Sequence, residues 1–106
     1  MYAITLLEKV KELSLLESNS LTRRQVKTSE ELGELSEAVL SVDDPNGTSY
    51  KNLTVQDVKE ECVDVILCVL STFYHESING TTEELLELCV KKCMKWEATS
   101  INKTRG

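Results

Sequence analysis

Residues 62–70 read CVDVILCVL, a stretch that is apolar on nearly every face of a helix except at one carboxylate, Asp64. The wider apolar stretch, Cys62 to Tyr74, is interrupted by that charge and is too short to cross a bilayer. The expectation is a central helix covered by other helices. The rest of the chain agrees, because one proline and four glycines in 106 residues disfavour a turn-rich β fold. With one Trp, one Phe and three Tyr, a core must come from Leu, Val, Ile, Ala and Cys. This length suits one domain, residues 1–106, around a single core.

Apolar periodicity marks four helices. The first runs from about Tyr2 to Glu17, with Ala3, Leu6, Leu7, Val10, Leu13 and Leu16 at helical spacing, and Ser18-Asn19-Ser20 ends it. The second spans about Thr22 to Val42, with Val26, Leu32, Leu35, Val39 and Val42 on one stripe. Asp43-Asp44-Pro45-Asn46-Gly47 is the strongest break in the sequence. Thr54 and Asp57 have capping-box spacing, with Asp in place of Glu or Gln, and the third helix continues from there to about His75. Ser77 to Gly80 forms a turn, and Thr81 with Glu84 caps a fourth helix that reaches about Lys103. The fold class is therefore all-α: a four-helix bundle whose long second and third helices form an antiparallel pair.

A formal charge of −6 argues against binding nucleic acid through the overall field. Phosphates remain accessible to such a chain if a cation bridges them to its carboxylates. The opening residues MYAITLLEKVKEL carry interspersed charge, unlike a signal-peptide core or a membrane span, so a cytoplasmic location and no membrane partner are expected. Four cysteines lie within helical patterns, where reduced, small apolar core residues account for them. Cys89 and Cys93 are i, i+4 neighbours suited to a shared zinc, but Cys62 and Cys68 are six apart and face differently.

Two acidic pairs carry the functional argument. Glu31 and Glu34, three apart, project about 60° apart on a helix and flank the stripe of Leu32, Leu35, Val39 and Val42. Lys27 lies on the same side, one turn earlier. By itself this pair also fits a solvated acidic face, since Glu30 and Glu37 stand nearby. Glu61 and Asp64 repeat the spacing on the most apolar helix. A carboxylate held against a core costs several kcal/mol unless it is paired, hydrogen-bonded or bound to a cation. No Lys or Arg lies between Lys59 and Lys91, which leaves a salt bridge from another helix or a metal as the remedy. If the second and third helices pack side by side, the four carboxylates converge. Hard divalent cations neutralise such a set, and Mg²⁺ suits it because it keeps waters and accepts phosphate oxygens, with Mn²⁺ as the alternate. A di-iron bundle would use Glu-x-x-His motifs, whereas the one histidine, His75, is not three residues after a Glu and fits a helix end.

The segment RQVKTSEELGELSEAV followed by KEECVDVILCVL resembles the MazG-like, all-α nucleoside triphosphate pyrophosphohydrolase superfamily. Its E-x-x-E, spacer, E-x-x-D pattern corresponds here to Glu31-Leu-Gly-Glu34, a spacer of 26 residues, and Glu61-Cys-Val-Asp64. The resemblance covers about residues 21 to 75, with a weaker echo in Asn102-Lys103-Thr104-Arg105. It implies hydrolysis of a (d)NTP to the monophosphate and pyrophosphate, with Glu31, Glu34, Glu61 and Asp64 holding Mg²⁺. One carboxylate, Glu34 or Glu61, would accept the proton of the attacking water. It also implies a homodimer or homotetramer, with the nucleotide site completed by a neighbouring subunit. Alternatives within the superfamily are a phosphoribosyl-ATP or a dUTP- or dCTP-specific pyrophosphatase. Outside it stands a non-catalytic acidic helical interaction module.

Basic and polar residues complete the expected site. Gln25 and Lys27, with Arg23, are candidates for phosphate or base contacts. Lys95, Asn102, Lys103 and Arg105 can meet the leaving pyrophosphate, or simply complement the dipole at the end of their helix. Lys91 and Lys92 fit the dipole role better. Trp96 fits packing better than base stacking.

Overall fold

Helix starts are set by side chains that satisfy the first free amides. Ser20 accepts a hydrogen bond from the Arg23 amide at 3.1 Å. The Thr54 hydroxyl accepts from the Asp57 amide at 3.2 Å, and the Asp57 carboxylate accepts from the Thr54 amide at 2.7 Å. Thr81 and Glu84 make the same reciprocal pair, both bonds at 3.1 Å. The computed structural model describes residues 2–43 and 52–105, and the side chains of residues 2–43 and 52–102. Its helices are α1 (Tyr2–Leu16), α2 (Leu21–Asp43), α3 (Val55–Phe73) and α4 (Thr82–Arg105). Among the described residues no strand occurs, and the chain is all-α. The expected break begins where α2 ends at Asp43, and residues 44–47 lie outside the described residues.

Helix α3 ends two residues before His75 because Tyr74 turns inward. Its side chain is buried, its ring sits edge-on to Phe73 at 5.5 Å, and its hydroxyl shares a 2.8 Å hydrogen bond with the buried Thr82 hydroxyl. The following turn is held by Asn79 in the left-handed region (φ 56°) and by the Gly80 amide donating to the Phe73 carbonyl at 3.0 Å. A Cβ on Gly80 would strike the Phe73 ring, so the backbone can approach only as glycine.

The principal packing is α2 against α3; α1 also packs on α3, whereas α4 touches α1 and packs on neither α2 nor α3. One buried residue ties three of these elements together. Arg24 donates to the Asn19 carbonyl (3.1 Å), to the Ser14 hydroxyl (2.6 Å) and carbonyl (2.9 Å), and to the Ser71 carbonyl (2.8 Å). Every face of its guanidinium is engaged, which lets a charge sit in an interior that is otherwise poor in apolar groups.

Two expectations about burial are overturned. Helix α3 contains no buried residue, and Val63, Ile66 and Val69 are each more than half exposed. Cys62, Cys89 and Cys93 are exposed and Cys68 is half-buried, so the cysteines do not form a core. The cause is the same in both cases: α3 is covered by α2 and α1 alone, and α4 stands away. Among the described residues the fully buried apolar side chains are Ala38 and Tyr74. No described helix is long and apolar enough to cross a membrane.

Candidate metal centre

The contact between α2 and α3 brings Glu31, Glu34 and Glu61 together. One carboxylate oxygen from each lies within 4.8 Å of the others. Their environments differ. Glu31 is buried, Glu61 is half-buried and Glu34 is exposed. Asp64, a turn further along α3, is exposed and stands outside this trio. From sequence, Glu31 and Glu34 could decorate a surface while Asp64 needed a partner; in the structure Glu31 is buried, and Glu34 and Asp64 are exposed. The buried carboxylate lies on the polar helix α2, because that helix turns its Glu31 and Ala38 side toward α3.

The trio is short of neutralising groups. Lys27 reaches forward one turn to Glu31 and forms an ion pair at 3.0 Å through Oε1. Oε2 of Glu31 and Oε2 of Glu61 are both buried and have no hydrogen-bond partner. Buried carboxylate oxygens without partners are costly and uncommon. Burial pushes the Glu61 carboxyl above the ordinary carboxylate range, and repulsion from Glu34, Asp64, Glu31 and Asp57 adds to the rise. Lys27 is shifted in the complementary direction, its ammonium favoured by the hydrogen bond to Glu31 and by that residue's charge. Burial likewise raises the thiol of Cys68, with the Glu31 charge contributing.

Three carboxylates on two packed helices, two of them with orphaned oxygens, are a hard, anionic, all-oxygen donor set. That chemistry fits Mg²⁺ or Mn²⁺. His75 does not join it. The ring lies just past the end of α3, where Nδ1 accepts from the Ser77 amide at 3.0 Å, in keeping with a helix-end role.

The remaining expected site residues are not gathered in one chain. Gln25 is exposed on α2, two residues before Lys27. Lys95 and Asn102 are exposed on α4, the helix that packs on neither α2 nor α3. The side chains of Lys103 and Arg105 lie outside the described residues. Trp96 is exposed rather than packed. Sequence reasoning passed over Arg24, whose adjacent Arg23 carries the same charge. Nothing local distinguishes the buried one, since its partners Ser14 and Ser71 come from other helices.

Two grooves of about 500 Å³ flank the α1–α2 turn. One is bounded by Arg24, His75 and Ser77, and the other by Arg23, Val26, Lys27 and Glu30. No family model, no curated protein and no solved structure matches this chain.

Proposed function

We propose that the protein is a Mg²⁺-dependent nucleoside triphosphate pyrophosphohydrolase, converting a (d)NTP to the monophosphate and pyrophosphate. The observation that carries this reading is the convergence of Glu31, Glu34 and Glu61 with two buried, unpartnered oxygens among them. The E-x-x-E and E-x-x-D spacing, with its likeness to MazG-like enzymes, supplies the reaction. Glu31, Glu34 and Glu61 would hold the cation, and Asp64 joins them through that likeness. The bound ion supplies charge neutralisation at the triphosphate and a lowered pKa for a water. One of the carboxylates, Glu34 or Glu61, would accept the proton of the attacking water. Lys27, which lines the open groove beside Arg23, would contact phosphate oxygens.

The exposed surface supports self-association as part of the same reading. The chain exposes 8156 Å². A folded monomer of this mass exposes about 6,000 Å². On α4 the exposed large apolar residues include Leu86, Leu88, Val90, Met94, Trp96 and Ile101. A homodimer or homotetramer would cover them, and it would give Lys95 and Asn102 a route to the acidic site of another copy.

The test is a panel of nucleoside triphosphates assayed for pyrophosphate release with Mg²⁺, on the wild type, Glu34→Gln and Asp64→Asn. Hydrolysis should fall by about 100-fold or more in Glu34→Gln. Undiminished Mg²⁺-dependent turnover in either variant would remove that residue from the site. Absence of turnover on every nucleotide would favour the non-catalytic interaction module.

A further inference from the structure

The Lys27–Glu31 ion pair stands where a cation would act, and its construction is uneven. Glu31 is 8% exposed, whereas the Lys27 side chain is 60% exposed. The ammonium therefore reaches a buried carboxylate from the solvent side. It engages Oε1 alone and leaves Oε2 of Glu31 and Oε2 of Glu61 unpartnered. One positive charge is set against three carboxylates whose oxygens lie within 4.8 Å of one another. Among the described residues Lys27 is the cation paired with this trio, as the other ion pairs, Lys9–Glu12 and Arg24–Glu17, lie elsewhere.

The residue type matters. A lysine ammonium is a compact, strongly hydrated point charge on a flexible stem, and it recovers its hydration easily when it leaves a partner. Arg24, three residues earlier, is held by at least five hydrogen bonds and cannot move without dismantling the α1–α2–α3 contact. Lys27 has no such anchorage. Its side chain also lines the groove of about 500 Å³ that carries Arg23, Asn19, Ser20 and Thr22, together with the acidic Glu17 and Glu30. The side chain thus lies between an anionic cluster and an open groove that already presents Arg23 near the start of α2.

We propose that Lys27 is an exchangeable counter-ion. It neutralises Glu31 when the cluster is empty, is displaced from it by a divalent cation, and then serves the adjoining groove as a contact for a polyphosphate anion. This rests on the cation-site reading above and adds an order of events to it. The cation repels the ammonium and offers Glu31 a stronger partner, and the released ammonium is then available only after the cation has arrived. An anionic ligand is held more tightly by the cation-loaded protein than the cation's own contacts account for. The coupling is reciprocal, as linkage requires.

The experiment uses the full chain without nucleotide. Mn²⁺ affinity is measured by calorimetry and by the spin-resonance signal of free Mn²⁺, for the wild type, Lys27→Met, Lys27→Arg and Glu34→Gln. In parallel, the reactivity of Lys27 toward an amine-acetylating reagent is read by peptide mass spectrometry with and without Mg²⁺. Lys27→Met should bind Mn²⁺ about three- to tenfold more tightly than wild type, and Lys27→Arg should resemble wild type. Mg²⁺ should raise the acetylation of Lys27 severalfold. With Mg²⁺ saturating, inorganic tripolyphosphate should bind Lys27→Met about tenfold more weakly than wild type. If Mn²⁺ binds the wild type and loses affinity in Glu34→Gln, yet Lys27→Met binds it equally or more weakly, the exchange is wrong and the cation site stands. Acetylation of Lys27 that is unchanged or reduced by Mg²⁺ equally overturns the exchange. If Mn²⁺ binds neither the wild type nor Lys27→Met, the cation site itself falls, and the exchange with it.

Discussion

At the scale of single residues, charge is distributed by burial rather than by local sequence. Glu31 and Glu34 belong to one E-x-x-E and both reach Glu61 on α3, yet Glu31 is buried and Glu34 is exposed. Glu61 has a measurable consequence. Its folded pKa lies above the ordinary carboxylate value, so folding favours the protonated form. That contribution is fully present below the ordinary carboxylate range and is lost as pH rises through the raised folded value. Cation-free Glu61→Gln should therefore be more stable than wild type at neutral pH. The two should converge as pH falls through the carboxylate range, as read from thermal melts in chelator. If the trio holds Mg²⁺, wild type should melt higher with Mg²⁺ and this variant should lose most of that rise. Arg24 works in the opposite register, as structure rather than chemistry. Arg24→Met should destabilise the fold by about 2–4 kcal/mol in urea titrations, because the Ser14 and Ser71 carbonyls lose their donor in a buried site.

At the scale of elements, the helix starts follow from short-range hydrogen bonds, and these were legible. Thr54 with Asp57 and Thr81 with Glu84 have the spacing of reciprocal caps and form them. Thr54→Ala should lower the melting midpoint by about 4–8 °C. The Thr54 hydrogen bonds, the backbone one foremost, hold the Asp57 carboxyl below its ordinary range. Stabilisation of this kind is present above that range and lost as pH falls through the depressed value; Thr54→Ala keeps the backbone donor and loses only the hydroxyl's share, so its penalty should shrink slightly in acid. The end of α3 was less legible. The helical pattern runs on to His75, but Tyr74 leaves it to bury its ring and bond Thr82, a residue in the next helix.

At the scale of the whole molecule, the helices leave much of their apolar surface uncovered. The radius of gyration is 16.8 Å. A compact chain of this length has about 13 Å. Helix α4 carries the clearest liability, with Met94 and Trp96 each about two-thirds exposed or more. The protein should therefore sediment well above its 11.9 kDa monomer mass. Replacing Met94 and Trp96 together by Glu should shift it toward monomer, which equilibrium sedimentation would report. If Lys95 and Asn102 of one copy serve the acidic site of another, hydrolysis should fall together with assembly in that variant. The exposed α3 face belongs to the same scale. A run such as CVDVILCVL signals cover without saying which chain provides it.

Sequence alone determined the four helices, the caps of α3 and α4, and the spacing of the two acidic pairs. These rest on periodicity and on hydrogen bonds between residues three or four apart. It also placed Lys27 one turn from Glu31, which α2 turns into an ion pair. Tertiary structure decided which carboxylates meet, which of them is buried, and that Arg24 rather than Arg23 ties the helices together. Those outcomes depend on side chains brought in from other helices, such as Glu61 beside Glu31 and Ser71 beside Arg24. No local pattern encodes the rotation of α2 on α3 that sets them side by side.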